Sequence, residues 1–278
     1  MSAILQRARG IPAQDGAGVK LTRIINQPNL RYQDPFLMLD EFRSDDPNDY
    51  IAGFPAHPHR GFSTLTYMLA GQMGHKDSVG NEGVVGAGGA QWMKAARGII
   101  HSEMPKQEDG LMWGFQLWIN LPAKDKLSDP DWADHPAESI PERRQHGHTI
   151  RLIAGEYEGM QGPVQQPEQA ILVMDVQLQA GSELELPALG QATRLAYIYQ
   201  GELAIDGEPV KRGELVRLSA ERDLQLSADN DAALFYLAGK PIAEPIAQYG
   251  PFVMNSSAEV EQAIRDYQAG NLAANEKR

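Results

Sequence analysis

The segment Leu111-Met112-Trp113-Gly114-Phe115-Gln116-Leu117-Trp118-Ile119-Asn120 alternates in the character of its side chains. Every second position is large and apolar, namely Trp113, Phe115, Leu117 and Ile119. The positions between them carry Gly114, Gln116, Trp118 and Asn120. Since neighbouring side chains of an extended chain point to opposite faces, this period of two predicts a β-strand that is covered on both faces.

The same alternation recurs in shorter form along the chain. It is clearest at residues 62–69, 150–154, 171–178, 195–199 and 232–237. Glycine (27 residues) and proline (18 residues) separate these stretches, and Asp206-Gly207 has the composition of a tight hairpin turn. Many short strands with frequent turns predict an all-β protein of the sandwich or barrel type, which includes the jelly rolls.

One helix is predicted near the end of the chain. Ser256 and Glu259 have the spacing of a capping box, in which each side chain serves the other's backbone amide. Three residues then share one apolar face of a helix before Gly270: Val260, Ile264 and Tyr267. We expect this stripe to pack on a sheet.

The composition excludes several classes of function. The 278 residues include 25 Lys and Arg against 37 Asp and Glu, and the net charge of −12 disfavours direct binding to nucleic acid or to anionic lipid. There is no cysteine, so any metal must be held by histidine and carboxylate. We find neither an apolar run of membrane-spanning length nor a signal peptide, which predicts a soluble, cytoplasmic protein.

The chain divides into two halves of similar size. Residues 124–147 are rich in Asp, Glu, Pro and Arg and show no periodicity, which is typical of a linker. A weak repeat relates the strand that ends at Gly71 to the one that ends at Gly201. We predict two β-barrel domains, one over residues 1–135 and one over residues 148–278, the second ending in the helix.

The histidines indicate a metal site. All seven lie between His57 and His148. His57-Pro58-His59 places two imidazoles on one face of a strand, and His101-Ser102-Glu103 repeats that spacing with a carboxylate. Two adjacent strands of this kind can supply four ligands to one ion. A further pair, His146-Gly147-His148, lies in the linker, where we expect solvated loop residues.

Four motifs, in order along the chain, resemble those of one family. Residues 53–62 (Gly-Phe-Pro-Ala-His-Pro-His-Arg-Gly-Phe) are similar to the first metal motif of the pirins, a branch of the cupin superfamily. Gln91-Trp92-Met93 with residues 97–105 is similar to their second motif. Residues 34–42 and Gly250-Pro251-Phe252-Val253-Met254-Asn255 match the entry and C-terminal signatures. The resemblance runs from about residue 23 to residue 270.

The resemblance implies a bicupin, with two jelly-roll barrels packed face to face and one divalent metal per chain in the N-terminal barrel. The family's ligands fall on His57, His59, His101 and Glu103. The family implies Fe(II), whereas the ligand types also suit Mn, Ni, Cu or Zn. Aligning Gly71 on Gly201 puts Pro187 and Leu189 at the positions of the first two histidines, so we expect the C-terminal barrel to be metal-free.

For the function, the resemblance implies a dioxygenase that cleaves flavonols such as quercetin with O2. The substrate would be a small aromatic molecule, flavonol or catechol-like, and Glu103 would be both a ligand and the catalytic base. One alternative is a metal- and redox-dependent regulatory protein that acts on protein partners without turnover. Another is a non-redox metal isomerase or lyase. We expect a monomer.

Some residues allow two interpretations or depart from the family pattern. Gln116 either orients a substrate or is a satisfied polar group of the barrel. We expect His75 to be a loop residue paired with Asp77. Ser63 replaces a glutamate that many pirins carry, and this puts hydrogen bonding around the metal ligands in doubt. Gly88-Gly89-Ala90 and Lys94-Ala95-Ala96 also depart, which predicts an unusual pocket rim.

Overall fold

The structure, a computed structural model, describes residues 2–166, 168–190 and 192–273. The strands within these residues are β1 (Ile4–Arg9), β2 (Ile11–Asp15), β3 (Val19–Ile25), β4 (Phe36–Ser44), β5 (Phe54–His59), β6 (Phe62–Ala70), β7 (Gln72–Asp77), β8 (Glu82–Gly86), β9 (Ala90–Lys94), β10 (Ile99–Pro105), β11 (Met112–Asn120), β12 (Asp131–His135), β13 (Glu142–Gln145), β14 (His148–Ala154), β15 (Glu156–Tyr157), β16 (Met160–Gln161), β17 (Leu172–Leu178), β18 (Ser182–Leu186), β19 (Thr193–Gln200), β20 (Glu202–Ile205), β21 (Glu208–Lys211), β22 (Glu214–Leu218), β23 (Leu224–Ala228), β24 (Ala232–Gly239), β25 (Ala247–Tyr249) and β26 (Phe252–Met254). One α-helix, α1, covers Ser257–Gln268.

The alternating segments form strands, as the sequence predicts. Each of the six is found, as β6, β11, β14, β17, β19 and β24. Strand β11 lies between β4 and β6 in its sheet, and Phe115, Leu117 and Ile119 on one face are buried. The Asp206-Gly207 turn joins β20 to β21 with φ values of 50° and 80°, the left-handed conformations that a two-residue hairpin turn requires. The all-β prediction is confirmed.

A first compact unit contains residues 12–26, 36–137 and those from 242 onward. It consists of a seven-stranded sheet in the order β12-β9-β6-β11-β4-β3-β2, a four-stranded sheet in the order β5-β10-β7-β8, and the hairpin β25-β26 with helix α1. The pairings within both larger sheets that have a defined register are antiparallel. Strands distant in sequence are neighbours in both sheets, which is the connectivity of a jelly-roll barrel.

A second compact unit contains residues up to 11, residues 27–35 and residues 138–241. Its seven-stranded sheet has the order β1-β22-β19-β24-β17-β14-β13, and its four-stranded sheet has the order β18-β23-β20-β21. The two sheets contribute to one apolar core, with members such as Leu152, Met174, Ile198 and Leu234 from the large sheet and Leu184, Leu203 and Leu226 from the small one. This unit repeats the sheet architecture of the first.

The compact units and the predicted domains divide the chain differently at its two ends. Strand β1 pairs with β22, from Ile4 opposite Leu218 to Arg9 opposite Glu214, and so belongs to the second unit. Helix α1 belongs to the first unit, where Asp266 accepts a hydrogen bond from Arg60 at 2.7 Å. That residues 1–135 and 148–278 fold as separate domains therefore stays a prediction.

The segment predicted to be a linker is partly ordered into strands. Strand β12 pairs with β9, and β13 pairs with β14, each at the edge of a seven-stranded sheet. An edge strand packs against a single neighbour and carries many polar residues, so it lacks the alternation by which inner strands are recognised. Residues 124–147 therefore include two strands that the absence of periodicity did not indicate, and their role as a linker between domains stays a prediction.

Helix α1 begins as the sequence predicts. Ser256 Oγ accepts from the Glu259 amide at 3.3 Å, and Glu259 Oε2 accepts from the Asn255 amide at 3.1 Å. Val260 is buried against the hairpin β25-β26, whereas Tyr267, predicted on the same face, is 39% exposed. Within the described residues we find no helix long and apolar enough to cross a membrane.

Candidate metal centre

Three histidines converge inside the first unit. Strand β5 places His57 and His59 on one face, two residues apart, and β10 pairs with it so that His101 lies opposite His57. The Nε2 atoms of His57 and His59 are 3.0 Å apart. One ring nitrogen from each of the three histidines lies within 4.8 Å of the others. The structure thus brings together the three histidines that the sequence analysis singled out.

Glu103, the fourth predicted ligand, lies two residues beyond His101 on β10. The residue is 3% exposed, and its Oε2 is 3.9 Å from His101 Nε2. Gln116 Nε2 donates to both carboxylate oxygens, at 3.1 and 3.0 Å. Thr66 Oγ1 lies 3.0 Å from Glu103 Oε1 and 3.0 Å from Gln116 Oε1. Glu103 is therefore held from the facing sheet, with its carboxylate beside the histidine cluster.

The protonation states of His59 and His101 are those that suit a bound metal. Burial lowers the pKa of His59 well below its ordinary value, and the neighbouring His57 adds to this. Burial likewise lowers the pKa of His101, with further contributions from the surrounding imidazoles. Both rings are therefore neutral at physiological pH, and neutral imidazole is the form that binds metals.

Two geometrical observations test whether a cation fits. His101 Nε2 is buried and makes no hydrogen bond to the described part of the chain. His57 Nδ1 donates to the Pro55 carbonyl at 2.8 Å, which leaves Nε2 with a lone pair 3.0 Å from His59 Nε2. Two nitrogens that bind one ion at about 2.1 Å each can have this separation. The arrangement fits a shared divalent cation.

His75 was predicted to be a loop residue, and this is wrong. It lies within β7 and is 2% exposed, because β7 pairs with β10 and places His75 opposite Glu103. Its predicted pairing with Asp77 is confirmed, with His75 Nε2 3.2 Å from Asp77 Oδ2. Its Nδ1 is 3.3 Å from His101 Nδ1. The polar run His75-Lys76-Asp77-Ser78 resembles a loop, although its alternation is that of a strand with one solvated face.

A cavity of about 670 Å³ opens beside the cluster. His57, His59 and Glu103 line one part of it. Its apolar lining includes Leu21, Met38, Phe42, Phe54 and Trp118. The ring of Trp118 meets His59 edge-on, with 5.1 Å between the centroids. A cavity of this volume with aromatic walls fits a flat organic molecule.

A row of polar side chains crosses the large sheet along the cavity. Strand register places Arg23 opposite Asp40, Asp40 opposite Gln116, and Gln116 opposite Thr66. The Arg23 guanidinium donates to Asp40 through Nε at 3.0 Å and through Nη2 at 2.7 Å. Burial raises the pKa of Asp40 to about 6, against the opposing effect of Arg23. This pair was not predicted from the sequence, although Asp40 lies in the entry motif on β4 and Arg23 lies on the preceding strand, β3.

Other residues named from the sequence lie elsewhere. Ser63 is buried on β6 and alternates with Thr64 and Thr66, so its side chain points away from the face that reaches Glu103. Residues 88–90 and 94–96 are not among the residues that line this cavity, and the expected change in the pocket rim stays a prediction. His146 is exposed in a turn, as expected, whereas His148 begins β14 and is buried.

The fold and this cluster define a class of protein, the bicupins. The chain belongs to the pirin family, because residues 18–119 match the pirin model and residues 173–273 match the model of the pirin C-terminal cupin domain. A Pseudomonas aeruginosa protein, provisionally named a quercetin 2,3-dioxygenase, is 50% identical over 97% of this chain and 98% of its own length. A pirin-like protein of Caulobacter vibrioides is 45% identical over 97% of this chain and 98% of its own.

Comparison with solved structures supports the same family and fold. A crystal structure of quercetin 2,3-dioxygenase from Acinetobacter baumannii superposes with a TM-score of 0.91 at 31% sequence identity. The match covers 99% of each chain. The family and the bicupin fold predicted from the sequence are therefore confirmed.

Proposed function

We propose that this protein is an iron-dependent dioxygenase that cleaves flavonols such as quercetin with O2. The observation that carries the proposal is the convergence of His57, His59 and His101, with Glu103 3.9 Å from His101, beside a cavity that is lined by aromatic residues and by His57, His59 and Glu103. The names of the related proteins support the same substrate class. When bound, a divalent ion supplies Lewis-acid activation of a substrate oxygen and a site for redox chemistry with O2.

The residues that would hold the metal are His57, His59, His101 and Glu103. The histidines would bind through Nε2, and Glu103 through the carboxylate that lies beside His101. Nitrogen and carboxylate ligands suit Fe(II), and they also suit Mn, Ni, Cu and Zn. The identity of the ion therefore has to be measured.

The cavity would bind the substrate, and Glu103 would act as the catalytic base. The flat rings of the substrate would lie against Phe54 and Trp118, which the cavity presents beside the histidines. The carboxylate of Glu103 would accept the proton of the acidic ring hydroxyl. Gln116 and Thr66 keep that carboxylate aimed at the cavity through their hydrogen bonds. A positioned base of this kind contributes about 10²–10⁴-fold in rate.

The proposal is tested by O2 consumption. Protein reconstituted with Fe(II) without oxygen is mixed with quercetin, 3-hydroxyflavone or catechol in aerated buffer, and O2 uptake and carbon monoxide release are followed. We expect one O2 consumed and one carbon monoxide released per flavonol. The His101→Ala variant should be inactive, and Ser102→Ala, which changes the neighbouring residue on β10, should be active. Fully metallated protein without turnover of any of these compounds would contradict the proposal and favour a regulatory role.

A further inference from the structure

We propose that His75 is a positioning residue of the metal centre. Together with Asp77, it would hold the proton of His101 on Nδ1 and leave Nε2 free to bind the metal. The inference rests on the ligand set of the proposed function, and it concerns a chain of three buried side chains on β7 and β10: Asp77, His75 and His101.

The chain of hydrogen bonds starts at Asp77, whose side chain is fully buried. Its Oδ1 accepts from the backbone amides of Val79 at 3.0 Å and Asn81 at 2.9 Å. Its Oδ2 accepts from Asn81 Nδ2 at 2.8 Å and faces His75 Nε2 at 3.2 Å. Because the two backbone amides and the Asn81 side-chain amide all donate, Asp77 acts as an acceptor at both oxygens. The proton shared with His75 therefore belongs to His75 Nε2.

The position of the proton on His75 determines which nitrogen of His101 is protonated. With its single proton on Nε2, the ring of His75 presents a lone pair at Nδ1, and the atom it faces at 3.3 Å is His101 Nδ1. Two lone pairs at that distance would repel each other, so His101 carries its proton on Nδ1. The lone pair of His101 Nε2 is then directed toward the cluster, where the atom has no hydrogen-bond partner among the residues described.

The position of the His75 ring is itself restricted. Trp132 of β12 stacks on it, with 5.3 Å between the ring centroids and 22° between the planes. The His75 ring is thus packed against Trp132 on one face and hydrogen-bonded at both nitrogens. Partners of this kind, behind a metal ligand, typically raise metal affinity by 10–100-fold.

The sharpest test is the Asp77→Asn variant. It keeps the size and shape of the side chain but replaces the acceptor that faces His75 by a donor. An asparagine can keep its oxygen on the two backbone amides and point its NH₂ group at His75, with the Asn81 side-chain amide turned over so that its oxygen accepts from the same NH₂ group. His75 would then carry its proton on Nδ1, and His101 would carry its proton on Nε2, where it blocks the metal. Substituting the triad aspartate of serine proteases by asparagine produces a wrong histidine tautomer in the same way.

Two readouts separate positioning from folding. The first is the ¹⁵N chemical shifts of the His101 ring in metal-free protein, which report which nitrogen is protonated. The second is the affinity for Fe(II) and Zn²⁺, measured by competition with a chelator. We expect Asp77→Asn to move the His101 proton to Nε2 and to lower metal affinity by 10–100-fold. Lys76→Gln, at the exposed position between His75 and Asp77, is the matched control and should change neither.

A second pair of variants keeps the test decisive if Asp77→Asn does not fold. His75→Gln retains an acceptor that can face His101 Nδ1, whereas His75→Leu does not, so Gln should preserve more metal affinity than Leu. Equal affinity in both, or a His101 proton that stays on Nδ1 in Asp77→Asn, would overturn the proposal. The proton position is read without metal or substrate, so absent flavonol turnover would contradict the proposed function and leave this inference standing.

Discussion

Gln116 Nε2 donates to both carboxylate oxygens of Glu103, at 3.1 and 3.0 Å. The two residues lie on different sheets of the first unit, Gln116 on β11 and Glu103 on β10. Of the two interpretations of Gln116, the contact supports that of a hydrogen-bonded polar group of the barrel, and that Gln116 orients a substrate stays a prediction. Its amide nitrogen donates inside the barrel, and the side chain also lines the cavity next to the carboxylate that we propose as the base.

The first prediction concerns Glu103. In Glu103→Gln an amide oxygen can still bind a metal, but the group no longer accepts a proton at neutral pH. We expect most of the metal to be retained and turnover to fall by about 10²–10⁴-fold. Metal content is measured by elemental analysis and turnover by O2 uptake. Glu82→Gln, the same chemical change on exposed β8, is the control, and undiminished turnover in Glu103→Gln would remove Glu103 as the base.

A second prediction concerns the proposed metal ligands. The double variant His57→Ala, His101→Ala removes two of the three nitrogens that lie within 4.8 Å of one another. We expect less than a tenth of an equivalent of metal per chain after purification, against about one equivalent in the parent protein. His146→Ala, which removes an exposed histidine in a turn, should keep the full equivalent. Full metal in the double variant would contradict the ligand set.

A third prediction uses the raised pKa of Asp40, about 6 in the folded protein against an ordinary value of 3.8. Between these values the folded protein keeps a proton that the unfolded chain has lost. The free energy of unfolding should therefore fall as the pH rises from about 4 to 6. One pKa unit corresponds to about 1.4 kcal/mol, so this group contributes a decrease of a few kcal/mol.

The measurement is urea denaturation across that pH range. Asp40→Asn does not titrate and should lack this part of the decrease. Asp45→Asn, a change of the same kind at an exposed position just after β4, should keep it. Parallel profiles for Asp40→Asn and the parent protein would show that Asp40 titrates near its ordinary value.

The fourth prediction concerns Lys126, a buried ammonium group. Its Nζ donates to the Gly61 carbonyl at 2.7 Å, to Asn120 Oδ1 at 2.6 Å and to the Val253 carbonyl at 3.0 Å. Lys126→Met keeps the apolar stem but leaves these buried acceptors without their donor. We expect the free energy of unfolding to fall by about 3 kcal/mol. Chemical denaturation measures it, and a loss below 0.5 kcal/mol would show that water or a side-chain movement replaces the ammonium group.

Local physical chemistry in the sequence was enough for the elements and for part of the site. A strand has a period of two, so the alternation around Phe115 identified β11, and the i, i+2 spacing of His57 and His59 placed them on one face. A capping box involves residues three apart, so Ser256 and Glu259 determined the start of α1 without reference to the rest of the fold.

The tertiary structure alone decided which strands became neighbours. Edge strands β12 and β13 lack alternation and gain their structure from pairing, which is why they were taken for a linker. His75 contacts His101 because β7 lies beside β10, and the row from Arg23 to Thr66 forms because four strands share one register. Strand register depends on hydrogen bonds between segments far apart in sequence. The local pattern was therefore enough to identify the candidate ligands, whereas their hydrogen-bond partners depend on the long-range pairing of strands.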